Sequence, residues 1–151
     1  MKAYKASYNQ ECLGFRFEVG QTYIHKGEVK LCKSGFHFCP VAEDTLDYYD
    51  YRKDFVLFEV EAEAVEMSGN TVEMSGHKCV TDKITILRIV PKEEYKALLG
   101  IEVDENFNIV WYKINGVETF NTYDEKQSLT SRKKIDGKGV VVEHYVYTWT
   151  M

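Results

Sequence analysis

Residues 55–65 alternate apolar and acidic side chains more regularly than any other part of this 151-residue chain. Successive side chains of a β-strand point to opposite faces, so the pattern predicts a strand with one buried face. We expect the buried face to hold Val56, Phe58, Val60, Ala62 and Ala64, and the other face to hold Phe55, Leu57, Glu59, Glu61 and Glu63. One apolar and one charged face are typical of an antiparallel sheet that packs on a single side.

Shorter segments of similar composition indicate that sheets dominate the fold. Further strands are predicted at residues 2–8, 15–19, 36–39, 79–90, 108–114, 117–122 and 139–148, and a polar segment at 124–134. Pro40 is placed to begin a helix that runs to Tyr51, and a second helix over 92–99 ends at Gly100. The fold class is therefore α+β and β-rich, with twisted, mostly antiparallel sheets and two short helices.

The domain organisation follows from chain length and from the break at residues 91–100. A chain near 150 residues is long enough for one domain, or for one domain with an appended element. We expect residues 1–100 to form an α+β core domain. Residues 101–151 then form a β-hairpin extension that packs on it.

Charge and hydropathy exclude several classes of partner. The net charge of −5 argues against nucleic-acid binding, and no apolar run approaches the roughly 18 residues that cross a membrane. The first eight residues do not form a signal peptide, so we expect a cytoplasmic location in the host cell.

The cysteine and histidine spacings predict no metal site. Cys12, Cys32, Cys39 and Cys79 are scattered, and no pair of histidines has the spacing of a zinc-binding helix. In a reducing compartment such cysteines behave as small buried apolar residues.

Among the histidines, His37 has the sequence context that best indicates where its side chain lies. It lies in Gly35-Phe36-His37-Phe38, a strand entered from a glycine and followed at once by Pro40. If Phe36 and Phe38 point into the core, His37 points the other way. We therefore expect its imidazole at the surface or in a cleft.

Several short motifs over residues 1–90 mark a family resemblance. They are Lys2-Ala3-Tyr4-Lys5, Tyr23, Lys30-Leu31-Cys32, Gly35-Phe36-His37-Phe38-Cys39, Tyr48-Tyr49, Glu59-Val60-Glu61-Ala62 and Thr81-Asp82-Lys83-Ile84. With these motifs the chain resembles a family of small uncharacterised domains found in phages and prophages. The resemblance implies a viral or mobile-element origin and no particular activity.

A second, more distant resemblance concerns the order of parts after Gly35. A strand over 35–38, a helix that reaches Tyr48-Tyr49 and a strong strand over 55–62 are similar to the arrangement in ADP-ribosyltransferases of the poly(ADP-ribose) polymerase type. That family's opening motif aligns with Lys5-Ala6-Ser7, where only Ser7 agrees. Its closing glutamate aligns with Glu143, ahead of His144 and Tyr145.

This second resemblance implies NAD as cofactor, without a metal, and a set of site residues. Glu143 would stabilise the oxocarbenium-like state of nicotinamide–ribose cleavage, with His37 as a second catalytic group. Ser7 would hold the ribose, with Lys5, Tyr48 and Tyr49 as further ligand-binding residues. Whether the chain cleaves NAD, as a divergent ADP-ribosyltransferase or NAD glycohydrolase, stays open at this stage.

Two classes of function follow. The first is a phage or prophage accessory protein that binds NAD or an ADP-ribose-like nucleotide in a divergent ADP-ribosyltransferase-like cleft. The alternative is a non-enzymatic interaction module or inhibitor that docks on a host or defence protein. Tyr145, Tyr147 and Trp149 share one face of the last strand and give either a buried strand or a contact surface. A homo-oligomer joined edge to edge by that strand is a third option.

Overall fold

A computed structural model describes residues 1–12, 15–31, 34–65 and 72–148, and half of them lie in β-strands. Cys32 and Trp149 lie outside the described residues. The antiparallel sheets and the two short helical segments confirm the predicted β-rich α+β class. By internal contacts the chain divides into two compact units, Met1–Val90 and Pro91–Met151. The predicted packing of 101–151 on the core stays a prediction.

The first unit contains two antiparallel sheets in its described part. Its strands are β1 (Lys2–Tyr8), β2 (Glu11–Cys12), β3 (Phe15–Arg16), β4 (Thr22–Ile24), β5 (Phe36–Phe38), β6 (Phe55–Glu63), β7 (Glu73–Ser75), β8 (Lys78–Thr81) and β9 (Lys83–Ile89). The larger sheet has the order β3-β2-β1-β6-β9-β4, and the smaller has the order β5-β8-β7. The strand predicted at 55–65 is thus β6, which pairs with β1 on one side and β9 on the other.

The predicted buried face of β6 is confirmed at Phe58, Val60 and Ala62, which form part of the core. The prediction of a single buried face is wrong at the start of the strand, because Phe55 and Leu57 are buried as well. The Tyr51 ring lies 5.6 Å from the Phe55 ring and helps to cover that side. A register shift between Glu59 and Val60 then separates this doubly buried end from the end that carries Glu61 and Glu63.

The strand predicted at 79–90 is wrong as a single element, because it is divided between the two sheets. β8 ends at Thr81 in the smaller sheet, and β9 begins at Lys83 in the larger one. Asp82 lies between them and is buried, and its Oδ1 accepts a hydrogen bond of 2.6 Å from the Val65 N–H. Its carbonyl accepts a second one, of 2.8 Å, from the His25 N–H. These bonds fix the corner at which the chain changes sheet.

The two predicted helices are present, and the first is shorter than expected. It is a 3₁₀ helix, Ala42–Asp47, in which the Thr45 hydroxyl donates to the Ala42 carbonyl over 2.7 Å. Such back-bonding to a carbonyl competes with a regular α-helix. The second begins as a 3₁₀ turn, Lys92–Glu94, continues as α1 (Tyr95–Leu99) and ends at Gly100 with φ +70°.

The second unit is an antiparallel meander in which neighbouring strands follow one another along the chain. Its strands are β10 (Ile101–Val103), β11 (Ile109–Ile114), β12 (Val117–Tyr123), β13 (Leu129–Ile135) and β14 (Val141–Val146). Asn115 and Gly116 both have positive φ, as the two-residue turn between β11 and β12 requires. No strand was predicted in the polar segment at 124–134, although most of it is strand β13. Pairing with β12 and β14 holds this strand without an apolar face.

Three aspartates repeat one turn in the meander. The Oδ1 atoms of Asp104, Asp124 and Asp136 each accept hydrogen bonds of 2.8–3.0 Å from the N–H groups two and four residues later. This is the local bonding that makes aspartate a strong turn former. In the described part of the chain, no helix is long and apolar enough to cross a membrane.

Candidate functional site

A cleft of about 240 Å³ opens in the first unit beside β1, β5 and the 3₁₀ helix. Its lining residues are Tyr4, Lys5, Ala6, His37, Phe38, Cys39, Thr45, Tyr48, Tyr49 and Lys78. Two backbone hydrogen bonds of 2.8 Å, exchanged between Tyr4 and Cys39, hold the end of β5 against β1. The cleft therefore lies where the smaller sheet meets the larger one.

Gly35 allows the backbone just before β5 to approach β8 closely. Its φ is +97°, and a Cβ atom placed on it would lie 2.9 Å from both the Thr81 carbonyl oxygen and the Val80 Cγ2. No side chain fits between the backbone of Gly35 and β8. The close approach sets the pairing of His37 with Val80, and with it the position of the imidazole.

His37 lines the cleft, as expected for an imidazole at the surface or in a cleft, and its neighbour Phe38 both belongs to the core and contributes to the lining. Burial, together with the positive charges of Lys78 and Lys5, lowers the pKa of His37 from 6.5 to about 4. The imidazole is therefore neutral at pH 7. In that state one ring nitrogen donates a hydrogen bond and the other accepts one.

Two lysines bring positive charge to the cleft. Lys5 is only 5% exposed, and its ammonium group donates a hydrogen bond of 2.7 Å to the His37 carbonyl oxygen. The same ammonium lies 5.2 Å from the centre of the Phe17 ring. The Lys78 ammonium lies 4.8 Å from the centre of the Tyr48 ring. The cations thus border aromatic surface.

Tyrosines form the wall opposite β5. The Tyr49 ring packs edge-on against the Tyr8 ring at 5.2 Å, and the Arg52 guanidinium covers Tyr8 at 3.5 Å. Tyr48 is 46% exposed. Tyr49 thus packs against Tyr8, and the Tyr48 ring lies beside the Lys78 ammonium while part of its surface stays exposed.

The cysteine that reaches the cleft is a buried, protonated thiol. Burial, with smaller contributions from Asp44 and Cys79, raises the pKa of Cys39 to about 11. Cys79 is fully buried, and both cysteines are free. The prediction of small buried residues is therefore confirmed at these two positions. Among the residues that the structure describes, no cluster of His, Cys, Asp or Glu has the arrangement of a metal site.

The structure brings four of the predicted site residues into one cleft: Lys5, His37, Tyr48 and Tyr49. Ser7 is fully buried outside that lining, and its Oγ has no hydrogen-bond partner within the described ranges. Glu143 belongs to the second unit, where its carboxylate lies 3.5 Å from the Lys134 ammonium. The predicted roles of Ser7 and Glu143 stay predictions.

Sequence reasoning gave no site role to the six other lining residues, which are Tyr4, Ala6, Phe38, Cys39, Thr45 and Lys78. Tyr4 is brought to the cleft by an isolated antiparallel β-bridge between Tyr4 and Cys39, which involves one residue of each segment. Lys78 is the first residue of β8 and lies one residue before the strand that the sequence predicted at 79–90. No local pattern in the sequence signals either contact.

The pKa of His37 makes stability depend on pH. Between pH 6.5 and 4 the unfolded chain binds a proton at His37 that the folded chain does not bind, so the free energy of unfolding falls as the pH falls. Each pKa unit corresponds to about 1.4 kcal/mol, and partial exposure of the ring reduces the total to about 2 kcal/mol. Urea unfolding at pH 7 and pH 4 should show this loss relative to a His37→Gln variant. Equal pH dependence of the two proteins would contradict it.

Comparison with known families gives one match. Residues 1–98 match the model of a family described as Domain of unknown function (DUF7666). Comparison with curated proteins and with solved structures finds no match.

Proposed function

The chain belongs to the DUF7666 family through residues 1–98, and we propose that its first unit binds NAD or an ADP-ribose-like nucleotide in the cleft between β1, β5 and the 3₁₀ helix. The observation that carries the proposal is the composition of that cleft. It combines aromatic walls, two lysines and a neutral imidazole. We further propose a phage or prophage accessory role, which the motifs of residues 1–90 support.

The aromatic walls favour a ligand with a planar ring. The exposed Tyr48 ring offers a face for stacking, and the cation–π geometry with Lys78 orients that ring. A ligand site needs mostly apolar lining with a few polar groups that fix orientation. Tyr4, Phe38 and Tyr49 supply the apolar part here.

The lysines favour an anion attached to that ring. Lys5 and Lys78 both lower the pKa of His37, so both act on the same small region. At Cys39 the negative charge of Asp44 acts in the opposite sense, so the positive charge is concentrated on the His37 side of the cleft. A pyrophosphate is a suitable anion, because ammonium groups bind phosphate oxygens well.

The neutral His37 ring and the cleft volume narrow the ligand further. An imidazole that donates one hydrogen bond and accepts another matches a carboxamide or the edge of a base. The volume of about 240 Å³ lies below the range of roughly 300–1,000 Å³ for sites that enclose drug-sized ligands. We therefore place one ring with its ribose inside the cleft and the rest of the dinucleotide beside Lys78.

Binding and turnover are separate proposals. Cleavage of the nicotinamide–ribose bond would use Glu143 as the carboxylate and His37 as a second catalytic group, as the resemblance to ADP-ribosyltransferases implies. Nicotinamide release from NAD that disappears in Glu143→Ala would support that role, and release that persists in this variant would exclude Glu143.

Thermal unfolding tests the binding proposal. ADP-ribose and NAD should raise the melting temperature of the wild type, because a ligand at 100 times its Kd stabilises the folded state by about 2.7 kcal/mol. Lys78→Met removes an ammonium group and Tyr48→Ala removes a stacking face. Each variant should raise the apparent Kd for ADP-ribose and NAD about tenfold or more and so reduce the rise in melting temperature.

Lys96→Met is the matched control for Lys78→Met. It removes an ammonium that lies 4.7 Å from the Trp111 ring, an equivalent cation–π pair in the second unit. The control should keep the full ligand-induced shift. Absence of any shift at millimolar ligand, or an equal loss in Lys96→Met and Lys78→Met, would contradict the proposal.

A further inference from the structure

β14 is the last strand of the five-stranded sheet, and no strand in the described ranges pairs with its outer edge. The Tyr147 N–H donates to the Thr130 carbonyl over 2.8 Å and so points toward β13. Backbone groups of neighbouring residues in a strand point in opposite directions within the sheet. The N–H and C=O groups of His144 and Val146 therefore point outward.

Most side chains of this edge are apolar and exposed. Val141, Val142, Tyr145, Val146 and Tyr147 have exposed fractions between 37% and 74%. Edge strands of soluble sheets usually carry lysines, prolines or other charges that prevent pairing with another chain. Here Arg132, Lys133 and Lys134 lie on the inner strand β13, and β14 carries no lysine. The charged residue of β14 is Glu143, whose carboxylate lies 3.5 Å from the Lys134 ammonium. A register shift beside Val142 interrupts the start of the strand, so the exposed edge without lysine or proline is the segment after it.

We propose that β14 pairs antiparallel with β14 of a second copy of this chain, about a two-fold axis at His144. The pairing joins two five-stranded sheets into one of ten strands. It satisfies the outward backbone groups of both copies and covers the exposed valines. Because the contact is isologous, each interaction occurs twice.

Symmetry and charge select the register. In an antiparallel pair, residues directly opposite each other have side chains on the same face of the sheet. When both strands are β14, an even-numbered residue therefore pairs with an even-numbered one and an odd-numbered residue with an odd-numbered one. The two registers that overlap almost the whole strand place Glu143 or His144 on the two-fold axis. The first places two carboxylates directly opposite each other, which destabilises a strand pair. The second places Val142 opposite Val146 of the second copy and Glu143 opposite Tyr145. The strand is therefore complementary to itself in the His144 register.

Sedimentation of the full chain tests the pairing. The wild type should have twice the 17.6 kDa mass of one chain. His144→Lys places two ammonium groups opposite each other and should raise the dimer dissociation constant about tenfold or more. Val140→Lys is the matched control, because Val140 is 55% exposed and precedes the strand. It should leave the dimer intact.

A cysteine placed at the axis tests the register. Oxidised His144→Cys should give more covalent dimer than the wild type, which contains all the other cysteines, and more than Val140→Cys. A single-chain mass for the wild type, or a dimer that His144→Lys does not weaken, would overturn the proposal. A mass that rises only after addition of a host protein would overturn it in favour of a foreign partner.

Discussion

Gly35→Ala should destabilise the first unit by about 4 kcal/mol. The added Cβ would meet the Thr81 carbonyl oxygen and the Val80 Cγ2, each at 2.9 Å. A carbonyl oxygen within a paired strand cannot move without disturbing β8, so overpacking costs about 1–3 kcal/mol. The φ of +97° adds conformational strain of about 1–3 kcal/mol for any residue other than glycine.

Gly27→Ala separates these two contributions. Gly27 has φ +102°, and a Cβ placed there would have no heavy atom within 4 Å. This variant should therefore lose the conformational part alone, about 1–2 kcal/mol. Urea unfolding of both variants gives the comparison. Equal losses would show that β5 does not approach β8 as closely as the structure indicates.

Asp82→Ala should destabilise the same unit by about 3 kcal/mol. The Asp82 carboxylate is buried at the corner between β8 and β9, and it accepts the Val65 N–H over 2.6 Å. A hydrogen bond to a charged group contributes about 1.5–3 kcal/mol, and its removal also leaves the amide of Val65 without this acceptor. Because Asp82 directly follows β8, the loss also disturbs the strand that carries Lys78.

Asp82→Asn is the control for the charge. The amide keeps an oxygen that can accept the Val65 N–H, so we expect a loss of about 1 kcal/mol. Chemical denaturation of wild type, Asp82→Asn and Asp82→Ala should rank the three proteins in that order of stability. A loss in Asp82→Ala no larger than in Asp82→Asn would show that the hydrogen bond does not hold the corner.

Strands with an apolar face could be predicted from the sequence, and others could not. Alternation located β6 and the position of His37 on β5, and Asn115-Gly116 located the turn between β11 and β12. β13 was missed because its charged side chains give no apolar period; it is held by pairing on both edges. The division of β8 from β9 was missed because buried hydrogen bonds of Asp82, rather than a glycine or proline, cause it.

The site could be predicted only where single residues carry the signal. His37, Lys5, Tyr48 and Tyr49 were singled out by motif, and they line one cleft. Lys78 was not, because its approach depends on pairing between β5 and β8, forty residues apart in the chain. Ser7 was assigned a ligand role by alignment with a motif, while its burial depends on the packing of β1.

Nuclear magnetic resonance of the His37 imidazole tests the central claim, nucleotide binding in the cleft, most directly. Spectra of the full chain are recorded during titration with ADP-ribose, and His37→Gln identifies the resonance. We predict a saturable shift of the His37 ring signal that is strongly weakened in Tyr48→Ala and retained in Lys96→Met. A His37 signal that stays unchanged up to millimolar ADP-ribose and NAD would contradict the account.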